Sequence, residues 1–157
     1  MFRKSIFKRT LLALGLMTIP ALSSATVVFE AQLDDELSDT LYFGSAAYLD
    51  TSCKILSLNS DKVAVSCDVS FGTGKIAIPI LNSSTNKQVT QLLVSDPLIG
   101  SATISLRDPN NYDFVSYCDT SGQCTNDPIT RYYLLANPID VTPNYPGQEA
   151  TIIVKRV

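Results

Sequence analysis

The cysteines are the residues of this chain whose chemistry is most readily interpreted. Cys118 and Cys124 stand six positions apart in the stretch Y-C-D-T-S-G-Q-C-T-N-D-P, around a Ser-Gly centre. A zinc site uses cysteines about two to four residues apart together with further Cys or His ligands, and the chain has no histidine. A redox-active dithiol is usually C-x-x-C. The spacing therefore favours a structural disulfide over a metal or redox site.

The other two cysteines, Cys53 and Cys67, indicate how the four are paired. The segment between them, C-K-I-L-S-L-N-S-D-K-V-A-V-S-C, is typical of a hairpin, and a turn centred on Ser60 places Cys53 opposite Cys67 and Leu58 opposite Lys62. Directly opposed residues of an antiparallel pair lie about 4.5 to 5.5 Å apart at Cα, within disulfide reach. We therefore predict a Cys53–Cys67 disulfide, and Cys118 and Cys124 then form the second bridge.

The first 25 residues have the pattern of a secretory signal peptide. Four basic residues precede an apolar run at 11–19, and small residues end at Ala25, where cleavage is expected. The apolar run is too short to cross about 30 Å of hydrocarbon as a helix. We therefore expect an exported protein, periplasmic, at the cell surface or extracellular, in an oxidising space where disulfides persist. The basic residues are Arg3, Lys4, Lys8 and Arg9.

The mature chain, residues 26–157, has the length of one domain and an acidic balance. Without the four basic residues of the leader, the 12 Lys and Arg of the sequence become 8 against 15 acids, a net charge of −7. Nucleic acids and anionic membranes bind to basic faces, so neither is an expected partner. We expect no integral membrane segment after cleavage. Other protein subunits or a surface receptor are the expected partners.

Hydrophobic and polar residues alternate along most of the mature chain, as they do in half-buried strands. Clear examples are residues 27–33, 63–71 and 76–80. About ten short strands separated by Gly, Pro and Asx turns favour an all-β fold, an immunoglobulin-like antiparallel β-sandwich, with a small irregular β-barrel as the alternative. The other candidate strands are 41–43, 88–95, 101–107, 113–117, 130–136 and 150–157.

Two segments depart from the regular alternation. The acidic segment Leu33–Asp39 is compatible with a helical turn or with a loop, and we expect the loop. Pro79 lacks the N–H that a residue in a central strand donates. We therefore expect residues 75–81 to lie at a sheet edge or to carry a bulge.

The absence of histidine removes much enzymatic chemistry. Ser-His-Asp and Cys-His mechanisms need an imidazole, and the chain has none. No P-loop or dinucleotide fingerprint occurs, so we expect a protein without catalytic residues and without a cofactor. Oxygen-bearing side chains in two turns keep a calcium site open as a minor hypothesis, because calcium prefers oxygen ligands. Those residues are Asp108, Asn110, Asp113, Asp119 and Asp127.

The first mature segment, Thr26–Leu33, alternates apolar and polar residues directly after the expected cleavage site, with Val27, Phe29, Ala31 and Leu33 as the apolar positions. In this layout, an export signal followed by a free strand, the chain resembles the pilin subunits of bacterial chaperone–usher systems. The resemblance implies an incomplete immunoglobulin-like sandwich and an N-terminal donor strand that completes the sheet of a neighbouring subunit. The alternative is that this segment is the first strand of a self-complete sandwich.

These observations lead to two functional hypotheses. The first is a non-enzymatic subunit of a surface fibre such as a pilus or fimbrium, or an adhesin that acts in cell adhesion, working through protein association. The alternative is a secreted or periplasmic binding protein or inhibitor that presents the disulfide-closed loop 118–124, because a rigid loop binds with little ordering cost. The binding positions would then be Thr120, Ser121, Gly122 and Gln123.

Overall fold

The computed structural model describes residues 26–49, 52–68, 72–107, 114–126, 131–136 and 148–156. The predicted signal peptide, residues 1–25, lies outside the described residues. The helix is α1 (Asp35–Ser38), and the strands are β1 (Thr26–Leu33), β2 (Leu41–Phe43), β3 (Ala47–Tyr48), β4 (Cys53–Leu58), β5 (Lys62–Asp68), β6 (Gly74–Asn82), β7 (Gln88–Asp96), β8 (Thr103–Arg107), β9 (Phe114–Asp119), β10 (Cys124–Asn126), β11 (Tyr132–Ala136) and β12 (Gln148–Arg156).

The strands form two packed sheets, which confirms the predicted all-β sandwich. A five-stranded sheet has the order β11-β12-β1-β5-β4, and a seven-stranded sheet has the order β10-β9-β8-β7-β6-β2, with β3 also paired to β6. Neighbouring strands are antiparallel except β1 and β12, which run parallel. The strands β3 and β10 are too short to show an alternating pattern in the sequence, and both are additional to the predicted set.

The hydrophobic core lies between the sheets and is built from the alternating positions. Ile76, Ile78 and Ile80 of β6 are each 0% exposed, and Phe29 of β1 is 1% exposed. Burial of one such side chain contributes about 1.5 to 3 kcal/mol. The inward stripe predicted for β5 is present as far as Cys67, and its predicted continuation at residues 69–71 lies outside the described residues.

β1 is a central strand of the five-stranded sheet. It pairs with β5 on one side and with β12 on the other, so that Val27 has Cys67 and Gln148 as its two partners. Hydrogen bonding within the chain therefore continues across both edges of β1. In this structure β1 therefore completes the sheet of its own chain.

The β4–β5 hairpin has the predicted cysteine register but a different register near its turn. Leu58 lies opposite Val63, so the predicted pairing of Leu58 with Lys62 is wrong. The cause is a bulge at Leu56, where β4 has one residue more than β5. An extra residue of this kind shifts every following pair by one position.

Strand β6 tolerates its proline because pairing is interrupted beside it. Pro79 lies opposite Gln91 of β7, and its carbonyl accepts a hydrogen bond from the Gly44 N–H at 2.8 Å. Gly44 lies between β2 and β3, so the position without an N–H faces the gap between these short strands. A register shift between Ile80 and Leu81 confirms the expected bulge. The expected sheet edge is absent along much of β6, because on the side away from β7 it pairs with β3 at residues 76–77 and with β2 at residues 80–82.

The acidic segment after β1 forms one helical turn, so the predicted loop is wrong. The N–H groups of Leu37 and Ser38 donate to the Asp34 carbonyl at 2.8 and 2.9 Å. Leu37 is 4% exposed and belongs to the core. Burial of this one apolar side chain stabilises a helix that would be too short to persist alone. In the described part of the chain, no helix combines the length and the apolarity that crossing a membrane requires.

One asparagine side chain joins the two sheets at their edges. Asn126 of β10 donates through Nδ2 to the Leu134 carbonyl of β11, and its Oδ1 accepts from the Leu134 N–H, both at 3.0 Å. β10 belongs to the seven-stranded sheet and β11 to the five-stranded sheet. The side-chain amide therefore substitutes for a strand pair on this side of the sandwich.

Candidate functional site

Two connections meet at one end of the sandwich. Thr103 at the start of β8 pairs with Asp119 at the end of β9. The β7–β8 turn, residues 97–102, therefore lies beside the β9–β10 loop, residues 119–123. We call the surface formed by residues 97–102 and 119–123 the disulfide end, because both disulfides lie at this end of the strands.

Both predicted disulfides are present. Cys53 is bonded to Cys67 with the two Cα atoms 4.0 Å apart, and Cys118 is bonded to Cys124 with the Cα atoms 4.1 Å apart. Each bridge joins residues that lie directly opposite one another in an antiparallel pair. The pairing predicted from spacing and hairpin register is therefore confirmed for all four cysteines.

The loop closed by the second disulfide is organised around one carboxylate. Oδ1 of Asp119 accepts hydrogen bonds from the Ser121 N–H at 2.9 Å, the Ser121 Oγ at 2.6 Å and the Gln123 N–H at 3.1 Å. Gly122 adopts φ 79°, a left-handed conformation that favours glycine. The Asp119 N–H also donates to the Gln123 carbonyl at 3.0 Å. The disulfide, the carboxylate and the glycine together hold one loop conformation.

These hydrogen bonds change the acidity of the carboxyl group. The hydrogen bond from the Ser121 hydroxyl lowers the pKa of Asp119 below its ordinary value, and the backbone N–H groups of Gln123 and Ser121 act in the same direction against a smaller effect of burial. Hydrogen bonds to a carboxylate favour its charged form. The charged carboxylate of Asp119 is therefore favoured, and its hydrogen bonds stabilise its own loop.

The predicted binding positions form the tip of this loop. Ser121 and Gln123 are exposed, while Thr120 and Gly122 are half-buried. Their role in binding stays a prediction. The tip carries the side-chain amide of Gln123 and the hydroxyl groups of Thr120 and Ser121. The backbone beneath them is held by the disulfide and by the hydrogen bonds to Asp119.

The β7–β8 turn carries a pair of exposed aliphatic side chains. Leu98 is 73% exposed and Ile99 is 90% exposed. They lie between Pro97 and Gly100, and Gly100 adopts φ 110°. Alternation does not single out this pair; the available signal is two aliphatic residues in a turn, where polar residues are the rule. The disulfide end therefore combines a polar stapled loop with an apolar tip.

Beneath this surface, a buried carboxylate links the two sheets. Asp96 at the end of β7 is 2% exposed, and its Oδ2 accepts a hydrogen bond from the Ser52 Oγ at 3.1 Å. Burial raises the pKa of Asp96, and the nearby negative charge of Asp68 raises it further, while the hydrogen bond from Ser52 lowers it. Gly74 lies opposite Asp96, directly against Cys53. This cluster connects the first disulfide to the seven-stranded sheet.

The calcium hypothesis stays a prediction, because only Asp119 of its five residues lies in the described part of the chain. Asp119 is occupied by the hydrogen bonds of its own loop. The other four candidates, Asp108, Asn110, Asp113 and Asp127, lie outside the described residues. Among the residues that the structure does describe, no group of three or more acidic, cysteine or histidine side chains is arranged to hold a metal ion.

The predicted donor-strand positions point into the core of their own domain. Val27, Phe29, Ala31 and Leu33 are between 1% and 4% exposed. Their strand, β1, has hydrogen-bonded neighbours on both sides within the chain. A role as a donor strand stays a prediction, and it would require exchange of β1 between copies.

Comparison with known proteins finds no match among family models, curated proteins or solved structures.

Proposed function

We propose that the protein is an exported, non-enzymatic β-sandwich that acts by binding another protein through the disulfide end. The exposed pair Leu98 and Ile99 carries this proposal. Full burial of an aliphatic side chain contributes about 1.5 to 3 kcal/mol. Leu98 and Ile99 are not buried in the folded protein, so the free energy of burying them is available for association with a partner.

The neighbouring loop supports the same role. The loop 118–124 is held by a disulfide and by three hydrogen bonds to Asp119, so little conformational entropy is lost when it binds. It places polar groups beside the apolar tip, and apolar centres with polar rims are the usual anatomy of protein interfaces. The acidic mature chain argues against an anionic membrane as the partner. Export is supported by the leader pattern and by two disulfides.

Site-specific photo-crosslinking in the exporting cells tests this proposal. A photoreactive residue at Ile99 or at Gln123 is expected to give a discrete protein adduct. The same residue at Lys87, which is exposed at the opposite end of the strands, is the matched control. The adduct formed from Gln123 is expected to disappear in the L98S/I99S variant. Equal labelling from all three positions, or an adduct that survives L98S/I99S, would contradict binding through this end.

A fibre subunit is the second candidate function; since β1 pairs on both sides within its own chain, assembly would require exchange of β1 between copies. β1 is central in its sheet and is followed by a seven-residue connection, residues 34–40, before β2 begins. Exchange of β1 between copies would reproduce its pairing with β5 and β12 in a neighbouring molecule. Polymers linked in this way would reuse the pairing of β1 with β5 and β12 between copies and would need no additional interface.

A covalent lock on β1 distinguishes the two candidates. Ala31 lies opposite Val63 of β5, so the A31C/V63C variant can tie β1 into its own sheet. If the protein polymerises by exchanging β1, the wild type is expected to form oligomers in sedimentation experiments and the locked variant to stay monomeric. A wild type that is monomeric at every concentration, or a locked variant that still polymerises, would contradict strand exchange. Binding through Ile99 would be unaffected by the lock.

A further inference from the structure

A groove of about 350 Å³ lies on the outer face of the seven-stranded sheet, away from the core. Its floor is apolar, because Ala77 of β6 lies beside Leu93 of β7 and both line the groove. Leu49, which follows β3 and is 60% exposed, lines one side. A hydrogen bond of 2.9 Å from the Leu49 N–H to the Lys75 carbonyl holds this segment against β6.

Polar side chains complete the groove, and the charged ones among its described lining residues are both cations. Lys75 and Arg107 line it together with the amides of Gln88 and Gln91. Among the described residues that line the groove there is no acidic side chain. The mature chain has a large excess of acids, so two cations around one depression are a local reversal of charge.

The guanidinium of Arg107 and the hydroxyl of Ser116 are the two buried side-chain groups that the described part of the chain leaves incompletely satisfied, and Arg107 is the one that lines the groove. Its Nε is buried and has no hydrogen-bond partner among the described residues. Gln91 is its neighbour on β7. A buried donor without a partner costs stability and is rare in folded proteins, so it calls for an explanation. A bound anion would supply one.

We propose that this groove binds a small ligand that carries a carboxylate next to hydroxyl or amide groups. The planar fork of an arginine matches the two oxygens of a carboxylate, and a lysine adds a point charge. The two glutamine amides can donate to and accept from hydroxyl or amide groups. The volume is at the lower end for small-molecule sites, which fits a ligand of the size of an acidic monosaccharide or a dipeptide. The site is separate from the disulfide end and does not depend on the association proposed there.

Titration of the 15N-labelled protein tests this inference, with backbone amide shifts as the readout. The probes are glucuronic acid, the dipeptide Glu-Ala, the uncharged sugar glucose and inorganic phosphate. The two carboxylates arise from different sources, and the tighter binder identifies whether the natural ligand is a sugar or a peptide. The amides of Gln91, Leu93 and Arg107 are expected to shift with at least one carboxylate, and much less with glucose.

Charge-neutral variants assign the effect to the groove. Arg107→Gln is expected to weaken carboxylate binding by about tenfold or more, because a charge-assisted pair is lost. Lys75→Gln is expected to weaken it by a smaller factor; Lys75 is exposed, so this variant tests the site even if Arg107→Gln folds poorly. Lys62→Gln changes the charge equally but lies on β5 in the other sheet, and it is expected to bind as the wild type does.

Three results would overturn the inference. One is that the backbone amides of the groove do not shift when either carboxylate is added to about 10 mM, which corresponds to about the weakest affinity that an NMR titration detects. Another is an equal loss of binding in Lys62→Gln and Lys75→Gln, which would show a general charge effect. The last is binding of phosphate as tight as that of both carboxylates, since the groove would then not recognise the planar group.

Discussion

The two disulfides have nearly the same geometry but lie in different surroundings. Cys53–Cys67 and Cys118–Cys124 both join opposed residues of antiparallel strands, with Cα distances of 4.0 and 4.1 Å. The first bridge is buried at both residues, 3% and 0% exposed. The second is buried at Cys118 but partly exposed at Cys124.

The neighbours of each bridge differ accordingly. Cys53–Cys67 ties β4 to β5 and contacts Gly74 of the other sheet, so it is part of the core. Cys118–Cys124 ties β9 to β10, a strand of three residues at the edge of the seven-stranded sheet. The same covalent element stabilises the core in one place and shapes a surface loop in the other.

Removal of each bridge in turn is the strongest test of this contrast. C53A/C67A is expected to lower the free energy of unfolding by about 3 kcal/mol from loop entropy alone, and by more because packing is lost in the core. C118A/C124A closes a smaller ring, and the expected loss is about 2 kcal/mol. Urea unfolding of both variants measures the difference, and crosslinking from Ile99 measures function.

The second variant has an additional expected result. C118A/C124A should remain folded while its loop 119–123 loses order and its crosslinking yield falls. C53A/C67A should lose stability without a change in binding under conditions where it is folded. If the C118A/C124A variant proves the less stable of the two, or if its binding is unchanged, the division between a core bridge and a surface bridge is wrong.

The contact between Gly74 and the first bridge gives the next largest expected effect. A Cβ on Gly74 would lie 2.6 Å from the Cys53 Sγ and 2.8 Å from the Cys53 nitrogen, and it would also meet the Ser52 hydroxyl. Backbone and disulfide atoms cannot move aside as a flexible side chain does. We expect Gly74→Ala to cost about 1 to 3 kcal/mol, the usual range for overpacking.

Gly72→Ala is the matched control for this substitution. Gly72 has no atom within 4 Å of the added Cβ but adopts φ 90°. It therefore reports backbone strain without a steric clash, at a cost of about 1 kcal/mol. Thermal unfolding of the two variants compares them. A Gly74→Ala variant as stable as the wild type would show that the sheets are not in close contact at the first bridge.

The local features of the fold could be predicted from the sequence because they depend on near neighbours. Alternation predicted the strands, and hairpin register predicted the Cys53–Cys67 bridge and with it the second bridge. The bulge at Leu56 shifted the pairing of Leu58, since no residue in that segment signals an extra position. The helical turn at Leu37 formed because the core could bury that side chain, which is a tertiary effect.

The candidate sites depended on contacts that a sequence pattern does not show. The groove joins Leu49, Lys75, Gln91 and Arg107, which come from four separate parts of the chain. The disulfide end likewise requires that residues 97–102 and 119–123 meet through the pairing of β8 with β9. Only the stapled loop, which is contiguous, could be selected as a candidate surface in advance.

A smaller effect comes from Asp96, the carboxylate beside the first bridge. Its pKa is raised in the folded protein, so the folded state holds its proton more strongly than the unfolded state does. The associated stability is therefore present below the ordinary carboxyl pKa of about 3.9 and is lost as the pH rises through the raised value. Asp96→Asn cannot ionise and keeps an oxygen for the Ser52 hydroxyl.

We therefore expect Asp96→Asn to be more stable than the wild type at pH 7, with a difference that shrinks as the pH falls toward 3. Urea unfolding at several pH values measures it. Ser95→Asn, on the neighbouring half-buried position of β7, controls for the asparagine itself. A difference that is constant with pH would show that the Asp96 charge is not opposed by its surroundings.

Asp119, beside the second bridge, should respond to pH in the opposite direction and by the smallest amount. Its pKa is lowered, so its contribution to stability is present above the ordinary carboxyl pKa and is lost as the pH falls through the lowered value. Because the loop is at the surface, the change in global stability is expected to be small.

The direct readout is the amide shifts of Ser121 and Gln123, whose N–H groups both donate hydrogen bonds to Asp119 Oδ1. These shifts should titrate at a lower pH than those of a free aspartate, and the titration should be absent in Asp119→Asn. A titration in the ordinary range would mean that the carboxylate does not organise the loop, and the second bridge alone would then have to hold its conformation.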